Sequence, residues 1–280
     1  MDYDCSFDGY MRLGEPEKAE KYVIWRTAIG LQQVDGLKPS EYLITAANRN
    51  IEGELTIREV QDQIDVYYKA KPAVATDDRT KEADKVSARI AEILSEKAFS
   101  FSPAEYMAIH RRLFSGIYEF AGKLRDYNIT KAEWVLNGET VYYASANSII
   151  YTLEYDFTQE RAFTYRGLQK EQVVAHIAKF VSALWQIHAF GEGNTRTTAV
   201  FIIKYLRTLG FAVTNDLFSD HSWYFRNALV RANYNDYKNG IYADLGYLNR
   251  FFENLLLDKT HPLKSRELRV SLKHEQNSDD

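Results

Sequence analysis

Ile187-His188-Ala189-Phe190-Gly191-Glu192-Gly193-Asn194-Thr195-Arg196-Thr197-Thr198 joins two apolar runs of helical period. Before it, Val173, Ile177, Phe180, Leu184 and Ile187 recur at three- and four-residue spacing, the stripe of a buried helix that ends at His188. After it, Val200, Phe201, Ile203, Leu206 and Leu209 repeat the pattern up to Gly210, a residue suited to a helix C-terminus. Two core helices with a short polar loop between them point to an all-α fold.

The flanking sequence agrees. Five prolines and 14 glycines in 280 residues leave room for long helices. Ala19, Tyr22, Trp25 and Ile29 mark one helix over Pro16–Gln33, Ser40 caps a second, and Leu55–Tyr68 reads as a third. Helices over 80–97 and 103–116 follow, the latter opened by Ser102-Pro103-Ala104-Glu105. One stretch breaks the pattern: Asn137-Gly138 joins two β-prone runs within 133–143, the signal of a β-hairpin. The expected organisation is a small helical module over 1–70, a polar linker over 71–84, a main helical domain with one hairpin over 85–258, and a polar C-terminal tail over 259–280 that frays.

Composition narrows the function. Thirty-five basic against 39 acidic side chains give a formal charge of −4, which argues against a nucleic-acid partner. The single cysteine, Cys5, excludes a disulfide framework and a cysteine-rich zinc site. There is no run of about 18 apolar residues and no basic-then-apolar leader pattern, so the expectation is a cytoplasmic protein without a membrane partner. A homo-oligomer is left open.

The loop itself concentrates chemistry. His188, Glu192, Asn194 and Arg196 stand within nine positions, interleaved with Gly191 and Gly193, whose backbones can approach a ligand closely. A helix starting near Asn194 aims its free N–H groups at the loop, an anion site to which Arg196 adds a cationic fork. Glu192 is a hard oxygen donor of the kind Mg²⁺ uses beside substrate phosphates, and His188 is a candidate base. Each feature alone has a plain alternative: a capping histidine, a surface Glu–Arg pair, an ordinary glycine turn. Their co-location favours phosphate-transfer chemistry.

His188-Ala189-Phe190-Gly191-Glu192-Gly193-Asn194-Thr195-Arg196 resembles the signature of Fic-domain proteins, His-Pro-Phe-x-Asp/Glu-Gly-Asn-Gly/Lys-Arg-x-x-Arg. Gly122-Lys123-Leu124-Arg125-Asp126-Tyr127-Asn128-Ile129, followed by the hairpin, is similar to the family's flap, and the resemblance spans roughly residues 85–255. It implies a Fic fold and transfer of AMP from ATP, with Mg²⁺, to a Ser, Thr or Tyr hydroxyl of a target protein bound at the flap. By the same resemblance His188 is the catalytic base and Glu192 the metal ligand. Gly191, Gly193, Asn194, Thr195 and Arg196 hold the phosphates, Lys131 reaches them from the flap, and Tyr224 and Asn233 contact the adenosine. Ala189 replaces the usual Pro, Thr195 stands where Gly or Lys is common, and Ala199 replaces the second Arg of the pattern.

Many members of the family are blocked by a helix whose Glu fills the γ-phosphate space. Asp35-Gly36-Leu37-Lys38-Pro39, followed by Gly53-Glu54-Leu55, is similar to the small antitoxin partners of Fic toxins, which makes 1–70 an antitoxin-like inhibitory module with Asp35 at the inhibitory position. Glu52 is the competing candidate. Two other readings stand beside protein adenylyl transfer: a Fic-fold enzyme transferring another nucleotide or phosphate group, and a catalytically lapsed scaffold acting as a binding module.

Overall fold

The computed structural model describes residues 16–70, 77–213 and 216–270; Cys5 lies outside them. In chain order the helices are α1 (Pro16–Gly30), α2 (Glu41–Ile51), α3 (Ile57–Ala70), α4 (Asp77–Ser95), α5 (Pro103–Phe114), α6 (Ile149–Ala162), α7 (Lys170–Ile187), α8 (Asn194–Thr208), α9 (Leu217–Asp220), α10 (Ser222–Ala232) and α11 (Gly246–Leu257). No strand occurs among the described residues, only one isolated bridge between Asp236 and Ile241. The chain forms two compact units, one of residues up to 122 with 199–222, the other of 123–198 with the residues from 223 onward. Residues 77–84, placed in the linker by sequence, are the first turns of α4.

In the first unit α1 and α3 pack on α4. Tyr22, Trp25, Ala28 and Ile29 bury one face of α1, and Val86, Ile90 and Ile93 one face of α4. Three buried polar groups organise the joints. Asp84 accepts from the Ser40 backbone N–H at 2.7 Å and from the Tyr68 hydroxyl at 2.7 Å, tying the start of α2 and the end of α3 to α4. The Trp25 indole donates to Asn50 Oδ1 at 2.8 Å. Lys204 of α8 donates to the carbonyls of Ile93 and Glu96, each at 2.8 Å, supplying cationic donors at the C-terminal end of α4.

The second unit is built on α7, with α6 and α11 against it. Its buried face is Val174, Ile177, Phe180, Val181, Leu184 and Ile187; Val173 is only half-buried. A capping box of Gln169 and Gln172 starts the helix, and Phe251, Phe252 and Leu255 of α11 join the same core.

The expected hairpin over 133–143 has no strand ladder. Trp134–Leu136 form a 3₁₀ turn, and Asn137 and Gly138 follow at φ 55° and 95°. Val135 and Leu136 are both fully buried, and two consecutive inward side chains contradict the alternation a strand requires. The Asn-Gly pair still reverses the chain, with the Glu133 N–H donating to the Glu139 carbonyl at 2.9 Å. Nor does the whole tail fray. Leu268 is buried, the Val270 N–H donates to the Val135 carbonyl at 2.8 Å, and Asn137 Nδ2 donates to the Val270 carbonyl at 2.9 Å.

Candidate active site

The loop between α7 and α8 is held by its own side chains. Asn194 Oδ1 accepts from the Phe190 N–H at 3.0 Å while its Nδ2 donates to the Phe190 carbonyl at 2.7 Å. This reciprocal pair closes 190–194 and commits the Asn194 amide to loop shape, leaving the backbone to meet a ligand. Gly193, at φ 75°, makes the turn into α8. Thr197 Oγ1 donates to the Gly193 carbonyl at 2.9 Å. The first-turn N–H groups of Asn194 and Thr195 have no carbonyl to bond within the helix, so α8 presents an anion-binding end to the loop. Arg196, in the same turn, is 1% exposed.

His188 caps α7 in the left-handed region, at φ 49° and ψ 56°. It is 4% exposed, and neither ring nitrogen has a hydrogen-bond partner among the described residues. Burial, then the positive charges of Lys131, Arg125 and Arg226, hold its pKa well below the usual imidazole range. The ring is therefore neutral at pH 7, the form a base requires. Tyr143 lies 4.1 Å from it, centroid to centroid, and Trp185 meets it edge-on at 5.4 Å.

Glu192 and Lys131 are brought together. The Lys131 ammonium stands 2.9 Å from Glu192 Oε2, and the Glu192 side chain is half-exposed. One outward carboxylate fits a divalent cation that arrives already bound to phosphates; among the described residues no cluster of three His, Cys, Asp or Glu forms a protein cage.

The hydroxyl of Thr195 is used within the protein, accepting from the Trp185 indole at 3.0 Å, and this explains a threonine where the signature has Gly or Lys. Tyr224 is buried and donates to the Tyr247 carbonyl at 3.1 Å; burial raises its pKa. Asn233 Nδ2 donates to Ser182 Oγ at 3.0 Å and to the Leu229 carbonyl at 2.9 Å. The Tyr224 hydroxyl and the Asn233 amide nitrogen thus have partners within the protein. Asp35 ends a 3₁₀ turn in the other unit, and its carbonyl accepts from Arg79 at 2.8 Å. Glu52 pairs with Lys18 at 2.9 Å.

Sequence reasoning passed over Arg125. Its buried guanidinium donates to the carbonyls of His188 at 2.7 Å, Tyr127 at 2.6 Å and Ile187 at 3.3 Å, and also to that of Ala144. Its own N–H donates to the Ala189 carbonyl at 2.9 Å. One side chain thereby joins the backbone at Tyr127 and Ala144 to the loop that carries His188. The Gly122–Ile129 run quoted for the flap contains it, but nothing in the run distinguishes a buried arginine from an exposed one.

Residues 100–206 match the Fic/DOC family. This region is a Fic domain. The chain is 26% identical over 176 residues to the protein adenylyltransferase VbhT of Bartonella schoenbuchensis, covering 58% of this chain and 36% of that protein. It is 29% identical over 130 residues to the probable protein adenylyltransferase y4lH of Sinorhizobium fredii, covering 46% and 64%. The match therefore spans less than two thirds of either relative. The fold is similar to that of the N-terminal Fic domain of Bep8 from Bartonella sp. 1-1C, with a TM-score of 0.52, 20% identity and coverage of 67% and 88%. It is similar also to BepC of Bartonella tribocorum with bound AMPPNP, with a TM-score of 0.51, 21% identity and coverage of 68% and 90%. No helix among the described residues is long and apolar enough to cross a membrane.

Proposed function

We propose that this Fic protein transfers AMP from Mg-ATP to a Ser, Thr or Tyr hydroxyl of a target protein. The observation that carries the reading is His188: buried, neutral at pH 7, with neither ring nitrogen hydrogen-bonded among the described residues, one loop away from the helix N-terminus at Asn194. The target oxygen attacks the α-phosphorus, the bond to pyrophosphate breaks, and the hydroxyl proton passes to His188. The N–H groups of the first turn of α8, with Arg196, hold the phosphates; Lys131 lies beside them on Glu192. Glu192 would hold Mg²⁺, which when bound offsets the charge of the phosphates. The relatives named as adenylyltransferases and the AMPPNP bound by BepC support ATP as the donor.

The target docks at the flap, where Tyr142 is 80% exposed, and Asp35 in the antitoxin-like segment restrains the reaction. Ala199 in place of the second signature Arg favours a second reading, in which the same machinery transfers another nucleotide or phosphate group. A lapsed scaffold is the remaining alternative.

Transfer of radiolabel from Mg-ATP tests this, with α- and γ-labelled nucleotide, with and without lysate, for the wild type, His188→Ala and Asp35→Ala. The expected result is protein-bound α-label lost in His188→Ala and increased in Asp35→Ala. Label from γ alone would replace AMP transfer by phosphate transfer. No label from either would move the assignment to another donor or to the scaffold. An Asp35→Ala rate equal to wild type would remove Asp35 from control.

A further inference from the structure

A histidine base usually has its ring set by a hydrogen bond to one nitrogen, which also selects the tautomer. His188 has no such bond among the described residues. Its ring plane is met instead by Tyr143, at 4.1 Å and an interplanar angle of 35°. Tyr143 is itself restrained at its far end, where the hydroxyl lies 3.2 Å from Glu133 Oε1 and donates to it. The Glu133 side chain is 1% exposed, and its other oxygen stands 2.6 Å from Arg226 Nη1. Glu133 is held through its backbone as well, the N–H donating to Glu139 at 2.9 Å and the carbonyl accepting from Gly138 at 3.0 Å. Arg226 in turn lies over the Trp223 ring at 5.3 Å.

We propose that Tyr143 is the positioning residue for the His188 base: its ring sets the imidazole plane, and the Glu133–Arg226 pair sets the ring. The inference rests on His188 being the base. This tilted ring contact leaves both imidazole nitrogens without a hydrogen-bond partner among the described residues, so the ring is oriented without consuming the atom that takes the proton. The contribution grows along the reaction coordinate. As the target hydroxyl gives its proton to His188, the imidazolium that forms stands 4.1 Å from the phenol ring, centroid to centroid, within cation–π range. Binding of the nucleotide involves no such change, so the effect belongs in kcat.

The test uses the full chain, with Tyr143→Phe, Tyr143→Leu and Glu133→Gln assayed for AMP transfer over a range of ATP. NMR of ¹³C,¹⁵N-histidine-labelled protein follows the His188 ring, and thermal unfolding confirms that each variant folds. Tyr143→Leu is expected to lose about thirtyfold in kcat with the KM for ATP within about twofold, and to shift the His188 ring resonances as the phenol ring current disappears. Tyr143→Phe keeps the ring current and loses only about threefold, with Glu133→Gln close to it. A Tyr143→Leu enzyme with unchanged kcat, a loss carried by KM, or His188 resonances identical to wild type would each overturn the proposal. Tyr143→Phe as damaged as Tyr143→Leu would do the same, by moving the role to the hydroxyl. Failure of the base assignment is separable: full transfer by His188→Ala refutes it whatever the Tyr143 variants show.

Discussion

The Trp185 indole N–H donates to the Thr195 hydroxyl across 3.0 Å, binding the last turn of α7 to the first turn of α8 on either side of the loop that carries Glu192. The bond is buried, and the Trp185 ring also stands perpendicular to that of His188. The loop is thus clamped at its root by a contact that lies outside the chemistry.

Replacing Thr195 by Val keeps the shape and removes the acceptor, stranding a buried indole N–H. Thermal or denaturant unfolding is expected to show a loss of about 1–3 kcal/mol, with Thr195→Ser close to wild type. Equal stability of Val and wild type would show that the bond contributes nothing net.

Arg125 is the larger risk. Its removal takes from the carbonyls of Ile187, His188, Tyr127 and Ala144 the donor that Arg125 supplies and deletes a buried side chain. Arg125→Ala is expected to cost about 3 kcal/mol or more in denaturant melts. Arg125→Lys, which cannot reach all of these carbonyls from one ammonium, recovers only part of it. A melt within about 0.5 kcal/mol of wild type would contradict this account.

The His188 ring titrates below its ordinary value of 6.5, because burial and the nearby cations disfavour the imidazolium. The sign follows from linkage: between the folded and unfolded pKa values the unfolded chain binds a proton that the folded one does not. Stability contributed by neutral His188 is therefore present above pH 6.5 and lost as pH falls below it. In nucleotide-free protein, NMR titration of the His188 ring should show no midpoint between pH 6.5 and 8, and a midpoint there would refute the placement.

Gly30 and Gly53 make a paired test of backbone reasoning. A Cβ at Gly30 would stand 2.4 Å from Ser219 Cα, so Gly30→Ala forces α1 and the α9 segment apart and is expected to cost about 1–3 kcal/mol in thermal melts. Gly53 meets nothing within 4 Å but sits at φ 81°, so Gly53→Ala should cost only the left-handed strain, about 1–2 kcal/mol. A larger loss at Gly53 than at Gly30 would invert the argument.

Local patterns determined much of this protein. The apolar stripes of α1, α7 and α8 placed those helices to within a few residues, because a buried face must repeat at helical period. Ser40 and Ser102 cap as their residue types suggest, accepting from Leu43 and Glu105. The polar loop between α7 and α8 disclosed His188, Glu192 and the helix N-terminus together, since all lie within nine residues of chain. Tertiary structure decided what depends on distant partners. Asn137-Gly138 turns the chain as expected, but the burial of both Val135 and Leu136 replaces the strand with a 3₁₀ turn, and Val270 docks on it from far along the chain. Tyr224 and Asn233 carry polar groups of the right kind, and the fold also gives the Tyr224 hydroxyl and the Asn233 amide nitrogen backbone carbonyls to bond. Arg125 and Glu133, buried, and Tyr143 and Arg226, half-buried, meet their partners only when folding carries them in or to the edge of the interior. There an unmatched charge or carbonyl is costly, and each must find its partner across the fold.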